Sequence, residues 1–148
     1  KSTPDLFILD SNLVLNKKLN IFKIKNRKVF IFYHNQKAKK LNSISGLKYI
    51  HMEQNKGKLN LKLVLNKIAK MGYNSVLVEG GRKLSTSLFR EDAVDKLFWF
   101  KSVKKYGSNG IFAIEGQNST MKNFMRKFKL INKENLYSDT LKTYVRTN

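Results

Sequence analysis

The residues best suited to chemistry surround the paired glycines Gly80 and Gly81, which follow an apolar run and precede an amphipathic segment. Glycines let a ligand approach the backbone closely, and the unpaired N–H groups in the first turn of a helix favour an anion. Positive charges and hydroxyls follow at once, on Arg82, Lys83, Ser85, Thr86 and Ser87. The pattern predicts a phosphate site, and the alternative is an ordinary tight turn between a strand and a helix.

Glu79 ends the apolar run and so places a carboxylate where open α/β sheets bind their ligands, at the carboxyl end of a strand. A carboxylate there accepts hydrogen bonds from a heterocycle or from sugar hydroxyls, and a salt bridge to a lysine is the alternative. Asp10 and Ser11 end an earlier apolar run and would share this rim if the two strands are neighbours. For Asp10 an Asx turn is the favoured interpretation.

The elements that position these residues are indicated by hydrophobic patterning. Short apolar runs at Leu6–Leu9 and Lys28–Tyr33 predict two buried strands, and Tyr49–Met52 is a weaker candidate. The stretch from Asn35 to Ser45 is polar and is left unassigned. From Asn60 to Gly72 the apolar residues recur at helical spacing, which predicts a helix capped by Asn60 and ended by Gly72 in a left-handed conformation.

The second half of the chain continues the alternation of elements. A strand is predicted at Ser75–Glu79, a helix at Arg82–Arg90 and a further strand at Lys96–Phe100. Phe124–Leu130 and Leu141–Val145 predict a closing antiparallel hairpin, with the polar residues Asn132–Asp139 between its strands. This order is typical of an α/β protein with a largely parallel sheet.

Composition narrows the class of protein. A chain of 148 residues suits one domain, and no apolar run is long enough to cross a bilayer. The absence of cysteine fits a reducing, intracellular compartment. The net charge of +20 is spread over all segments, which favours a solvated surface over a nucleic-acid-binding face. His34 and His51 lack the spacing of metal ligands, so no metal site is predicted.

The stretches Ser75–Leu84 and Val94–Leu97, together with Leu9–Ser11, resemble the reductase half of the bifunctional riboflavin-biosynthesis deaminase/reductase family. Lys104–Gly107 resembles that family's glycine-ended loop. The resemblance implies a dihydrofolate-reductase-like α/β fold, with a mostly parallel central sheet flanked by helices and a C-terminal antiparallel hairpin. It also implies a cytoplasmic homodimer in which NADPH reduces the ribosyl group of a phosphoribosylamino-uracil.

Carried over by position, the resemblance implies that Ser11 contacts the nucleotide and that Glu79 holds the phosphorylated pyrimidine substrate. The residues implied in binding the cofactor phosphates are Gly81, Arg82, Lys83, Leu84, Ser85, Thr86 and Ser87. The family's strand–helix–strand portion ahead of Leu6 has no counterpart here. We therefore expect residues 1–148 to be a single reductase-like domain without that portion, and the alternatives are a catalytically inactive reductase fold or a basic nucleic-acid-binding domain.

Overall fold

The computed structural model describes residues 3–16, 18–23, 26–34, 46–55, 57–104, 107, 110–116 and 118–147. The unassigned stretch 35–45 and two residues of the glycine-ended loop, Lys105 and Tyr106, lie outside these ranges. The chain divides into two compact units, Lys1–Asn74 and Ser75–Asn148. The expectation of one domain over the whole chain stays a prediction. Both units combine helices with strands, as the α/β class requires.

The first unit contains a parallel sheet. Its elements are β1 (Leu6–Leu9), a 3-10 turn (Asn20–Phe22), β2 (Val29–Tyr33), β3 (Leu47–His51), β4 (Gln54–Asn55), β5 (Lys58–Leu59) and α1 (Leu61–Lys70). The strand order is β1–β2–β3, and both neighbours run parallel to β2, whereas β4 and β5 form a small antiparallel pair. The predicted strands β1 and β2 are confirmed, and the weaker candidate begins at Leu47.

The core of this unit lies on both faces of β2. Phe30 and Phe32 pack on one face with apolar residues of α1, while Val29 and Ile31 pack on the other face with Leu47. This two-sided burial explains why β2 is a continuous apolar run and not an alternating one. The helix α1 begins after Asn60, whose side chain accepts a hydrogen bond from the N–H of Leu63 at 3.2 Å.

The end of the first unit is fixed by two features near Gly72. Gly72 has a φ of +93°, so the predicted left-handed end of α1 is confirmed. The hydroxyl of Tyr73 donates a hydrogen bond to the carboxylate of Asp5, just before β1. This bond lowers the pKa of Asp5 and raises the pKa of Tyr73. The contact ties the chain after α1 to the start of the sheet.

The second unit contains an antiparallel sheet. Its elements are α2 (Arg82–Arg90), β6 (Lys96–Lys101), α3 (Asn118–Met125), β7 (Phe128–Leu136) and β8 (Asp139–Arg146), and the sheet order is β6–β8–β7. The helix α2 has the predicted bounds, and β6 extends the predicted strand by one residue. On one side of the sheet, the ring of Phe89 in α2 lies 5.3 Å from Phe124 and 5.7 Å from Phe128.

The predicted hairpin is confirmed, but two of its boundaries were wrong. The segment 118–125 is helical, so Phe124 belongs to α3 and not to a strand. Its ring packs against Phe89 of α2, and this contact between two helices stabilises the helical conformation. The strand β7 continues through the polar residues from Asn132 to Leu136, which were expected to form the connection. These residues are exposed, and their backbone pairing with β8 decides their conformation.

The prediction of a strand at Ser75–Glu79 is wrong. Residues 75–81 have no regular secondary structure, and they pair with no strand among the described residues. The side chains of Val76, Leu77 and Val78 are 39%, 75% and 44% exposed. A strand forms only when neighbouring backbone completes its hydrogen bonds, and no such neighbour is present in the described ranges.

An ionic cluster lies where α2 ends. Asp92, with a φ of +54°, accepts hydrogen bonds from Lys127 Nζ at 2.8 Å and from Arg146 at 3.0 Å. The hydrogen bond from Lys127 is the main cause that lowers the pKa of Asp92, and Arg146 adds to it. The cluster joins the end of α2 to β8 and to the residue just before β7.

Within the described residues, no helix is long and apolar enough to cross a membrane.

Candidate functional site

The start of α2 presents unsatisfied backbone donors. Gly81 is the residue before the helix, with φ −73° and ψ 177°, and it has no side chain that could cap the first turn. The first bond of the helix runs from the N–H of Ser85 to the carbonyl of Gly81 at 3.1 Å. The N–H groups of residues 82–84 therefore have no partner within the helix, and the helix dipole adds partial positive charge there. This end of α2 suits an anion.

The two glycines of the bend have different steric roles. Neither has a positive φ, so the left-handed freedom of glycine is not used here. A Cβ on Gly80 would lie 2.7 Å from Leu84 Cδ2, so the absence of a side chain lets Leu84 pack beneath the bend. A Cβ on Gly81 would meet nothing within 4 Å. Both residues are exposed, and the bend is open on the side of Gly81.

The three hydroxyls predicted to contact a cofactor are all directed at backbone carbonyls. Ser85 Oγ donates to Gly80 O at 3.4 Å, and Ser87 Oγ donates to Lys83 O at 3.0 Å. Thr86 Oγ1 donates to Arg82 O at 2.7 Å. The bond of Ser85 is long and its side chain is half-buried, which leaves its hydroxyl the easiest of the three to redirect towards a ligand.

Thr86 is fully buried, and its hydroxyl makes a second contact. The N–H of Glu115 donates to Thr86 Oγ1 at 2.8 Å, across 29 positions of sequence. The carboxylate of Glu115 lies 4.0 Å from Arg82 Nε, the first residue of α2. Sequence reasoning missed Glu115, because no local pattern connects it with residues 82–86. Its role became visible only through this long-range hydrogen bond.

Glu79 and Lys83 flank the bend with opposite charges. Both residues are exposed, and neither forms a hydrogen bond or ion pair with its side chain among the described residues. The salt bridge to a lysine that competed with a ligand role for Glu79 is therefore not observed in this part of the chain. Residues Glu79 to Lys83 consequently form one continuous exposed edge that combines a free carboxylate with free backbone donors.

Asp10 and Ser11 belong to the first unit, at the carboxyl end of its parallel sheet. The carboxylate of Asp10 accepts hydrogen bonds from Val14 N at 3.0 Å and Leu15 N at 2.8 Å, four and five residues on. It therefore holds the loop after β1 and does not form the bond to the second following residue that defines an Asx turn. The carbonyl of Ser11 accepts a hydrogen bond from His34 N at 3.1 Å. These bonds fix the backbone after β1 beside the backbone after β2. The half-buried Ser11 is thereby held at the edge where parallel sheets bind ligands.

The two histidines of the chain lie at the carboxyl ends of strands of the parallel sheet, where His34 follows β2 and His51 is the last residue of β3. His34 has a buried Nε2 with no hydrogen-bond partner, and the ring of His51 lies 5.3 Å from the ring of Tyr33. No group of three or more histidine, aspartate or glutamate side chains in the described ranges could hold a metal ion. The ring of His51 therefore has an aromatic contact with Tyr33.

The family described as the RibD C-terminal domain matches residues 2–141. This chain belongs to the RibD C-terminal domain family. No curated protein sequence matches it.

Solved structures agree with that assignment. A deaminase and 5-amino-6-(5-phosphoribosylamino)uracil reductase from Thermotoga maritima is 25% identical, with a TM-score of 0.76 over 97% of this chain and 38% of the Thermotoga chain. RibD from Acinetobacter baumannii is 19% identical, with a TM-score of 0.74 over 96% of this chain and 37% of its own. The chain thus spans less than two fifths of these two proteins.

A third neighbour is a shorter protein. The riboflavin biosynthesis reductase Rib7 of Saccharomyces cerevisiae is 16% identical, with a TM-score of 0.70 over 97% of this chain and 73% of its own. The shared architecture confirms the dihydrofolate-reductase-like α/β fold. The names of the Thermotoga and Saccharomyces neighbours are those of reductases of the riboflavin pathway.

Proposed function

We propose that this RibD C-terminal domain reduces the ribosyl group of 5-amino-6-(5-phosphoribosylamino)uracil to the ribityl group, with NADPH as the reductant. Two lines of support are the family match and the reductase named in the Thermotoga relative. The observation that carries the proposal is the exposed Glu79-Gly80-Gly81 bend before the uncapped helix α2. Such a helix start is a ready anion site, as the phosphates of a nucleotide require.

The proposed division of labour follows from the chemistry of the bend. The N–H groups of residues 82–84 would hold a phosphate, and the open side of Gly81 allows the close approach that this needs. Arg82 and Lys83 would add positive charge, and Leu84 would support the bend from below. When bound, NADPH supplies the hydride, whereas the protein binds and orients the reactants.

The substrate would occupy the acidic side of the bend. Glu79 has a free carboxylate, and pyrimidine N–H groups are suitable donors to it. Ser11 would contact the nucleotide from the rim of the parallel sheet, where its backbone is held by His34. Both roles are proposals that agree with the chemistry of each residue.

Calorimetric titration of NADPH into the full chain tests the proposal. We expect saturable binding that falls at least about tenfold in Gly81→Asp, because a new carboxylate at the open helix start repels an anion. Ser138→Asp is the matched control, since it adds the same charge in the exposed turn between β7 and β8. Equal binding by both variants, or the absence of saturable binding by the folded wild type, would contradict a cofactor site at the bend.

A reductase fold without turnover is the second candidate, and the exposure of Val76, Leu77 and Val78 beside Glu79 favours it. A carboxylate that binds the substrate needs a rigid support, and an unpaired segment supplies less support than a strand does. Consumption of NADPH in the presence of the pyrimidine substrate separates the two candidates. Binding of NADPH without its oxidation would identify the inactive form.

The remaining expectations stay predictions. They are a homodimer, a cytoplasmic location and a preference for NADPH over NADH. Nucleic-acid binding has only the net charge in its favour, because basic residues outnumber acidic ones in both units and no described element concentrates them.

A further inference from the structure

The buried hydroxyl of Thr86 joins α2 to a distant loop. It donates to Arg82 O at 2.7 Å and accepts from Glu115 N at 2.8 Å, and the side chain is 0% exposed. The adjacent Ile114 is also buried, which anchors the loop on the same side. A buried hydroxyl with both its donor and an acceptor site used is already satisfied, so it has little capacity for a ligand. Its effect on a ligand would act through the residues it holds.

Those residues are Arg82 and Glu115. The Thr86 bond places Glu115 so that its Oε1 lies 4.0 Å from Arg82 Nε, with side chains 44% and 32% exposed for Arg82 and Glu115. An ion pair this exposed contributes little to stability. The orientation that it gives to Arg82 matters more for a ligand than its contribution to stability. Nε is the guanidinium nitrogen nearest to the carboxylate, and no hydrogen bond from the described residues occupies the two terminal nitrogens of Arg82.

We propose that Glu115, held by Thr86, is a positioning residue that directs the terminal nitrogens of Arg82 to a phosphate at the start of α2. The inference rests on the proposed function, since it deepens the role of the same bend. Arginine binds phosphate best through two parallel N–H donors, and this geometry depends on the orientation of the guanidinium plane. Attraction from a carboxylate 4.0 Å from Nε favours one orientation of that plane before the ligand arrives.

The direction in which Glu115→Gln changes NADPH affinity tests the proposal. A negative charge near an anion site lowers anion affinity by simple repulsion, so its removal alone would tighten NADPH binding. Positioning predicts the opposite. We expect Glu115→Gln to weaken NADPH binding about threefold to fivefold by calorimetry, which corresponds to the loss of an exposed ion pair. Unchanged or tighter binding would overturn the proposal.

Matched variants separate positioning from folding. Glu91→Gln removes one negative charge at the other end of α2 and should leave NADPH affinity within about twofold. Thr86→Val should weaken binding as Glu115→Gln does, and Thr86→Ser should restore it because the hydroxyl is kept. If Arg82 mediates the effect, Glu115→Gln should change nothing in an Arg82→Gln background, as a double-mutant cycle would show.

A readout without ligand distinguishes failure of this inference from failure of the proposed function. In NMR spectra of the free protein, Arg82 Nε–H should exchange with water more slowly in the wild type than in Glu115→Gln or Thr86→Val. Slow exchange lost in both variants supports the positioning even if NADPH does not bind. Equal exchange rates in all three proteins would overturn it, whatever the titrations show.

Discussion

Val29–Tyr33 and Ser75–Glu79 are two short apolar segments with opposite environments. The first forms β2, with β1 on one edge and β3 on the other, and its first four residues are buried. The second has no strand partner among the described residues, and its Leu77 is 75% exposed. Both segments are rich in β-branched or aromatic residues. Their composition therefore does not explain the difference.

Neighbouring backbone explains it. Strand propensity measures how well a side chain fits a pleated and partly buried surface, and that surface exists only when adjacent strands are present. The residues of β2 gain burial on both faces, whereas residues 75–79 keep their backbone and side chains open. An open apolar segment with unpaired N–H and C=O groups is a place where further strands can add. The stability of the described fold should therefore depend far more on β2 than on residues 75–79.

Truncation of one side chain in each segment tests this comparison most strongly. We expect Phe32→Ala to lower the free energy of unfolding by about 3–5 kcal/mol, because Phe32 is 0% exposed in the core. Leu77→Ala is the control from the open segment and should change it by no more than about 0.5 kcal/mol. Urea unfolding followed by circular dichroism measures both. A cost for Leu77→Ala comparable to that of Phe32→Ala would show that residues 75–79 are packed in solution.

The same comparison shows which parts of the fold the sequence could predict. Local signals were sufficient for α1, where Asn60 caps and Gly72 ends the helix, and for α2, whose bounds were predicted correctly. The sequence was insufficient where an element depends on pairing with a distant strand. The prediction of a strand at Ser75–Glu79 was wrong, and the polar end of β7 was missed because its pairing with β8 is a long-range property.

The candidate site also has one part that local sequence signals predicted and one part that they could not. The bend at Gly80 and Gly81 and the helix after it were visible in the sequence, because glycine and helical periodicity are local features. The contact between Thr86 and Glu115 was not visible, since it joins residues 29 positions apart. The sequence also gave no reason to distinguish the two glycines. Only the position of Leu84 beneath Gly80 separates a glycine needed for packing from one that is open.

That distinction predicts a smaller difference between two variants of the bend. We expect Gly80→Ala to lower the free energy of unfolding by about 1 kcal/mol or more, because its Cβ would lie 2.7 Å from Leu84 Cδ2 and 3.1 Å from Leu84 Cβ. Gly81→Ala should change it by less than about 0.5 kcal/mol, since its Cβ meets nothing within 4 Å and its φ of −73° suits any residue. Thermal unfolding of both variants measures the difference. If Gly81→Ala lowers the free energy of unfolding more than Gly80→Ala does, the bend is packed on the side of Gly81 in solution.

The smallest expected effect concerns pH and the start of the parallel sheet. The pKa of Asp5 is lowered by the hydrogen bond from Tyr73, so this contact adds stability above the ordinary pKa of aspartate and loses it as the pH falls through the lowered value. The pKa of Tyr73 is raised, so its contribution is present below the ordinary tyrosine pKa and is lost as the pH rises through the raised value.

The loss of stability at acid pH and the loss at alkaline pH should therefore both be smaller in Tyr73→Phe. Melting temperatures measured against pH should fall less steeply below about pH 4 and above about pH 10 in this variant than in the wild type. Asp92→Asn is the control from the second unit: it should reduce only the acid slope, because the pKa of Asp92 is lowered by Lys127 and Arg146 without a tyrosine. If the Tyr73→Phe curve ran parallel to the wild-type curve at both ends, the Tyr73–Asp5 contact would not contribute to holding β1 in the buried sheet. The contrast between the two segments would then rest on apolar packing alone.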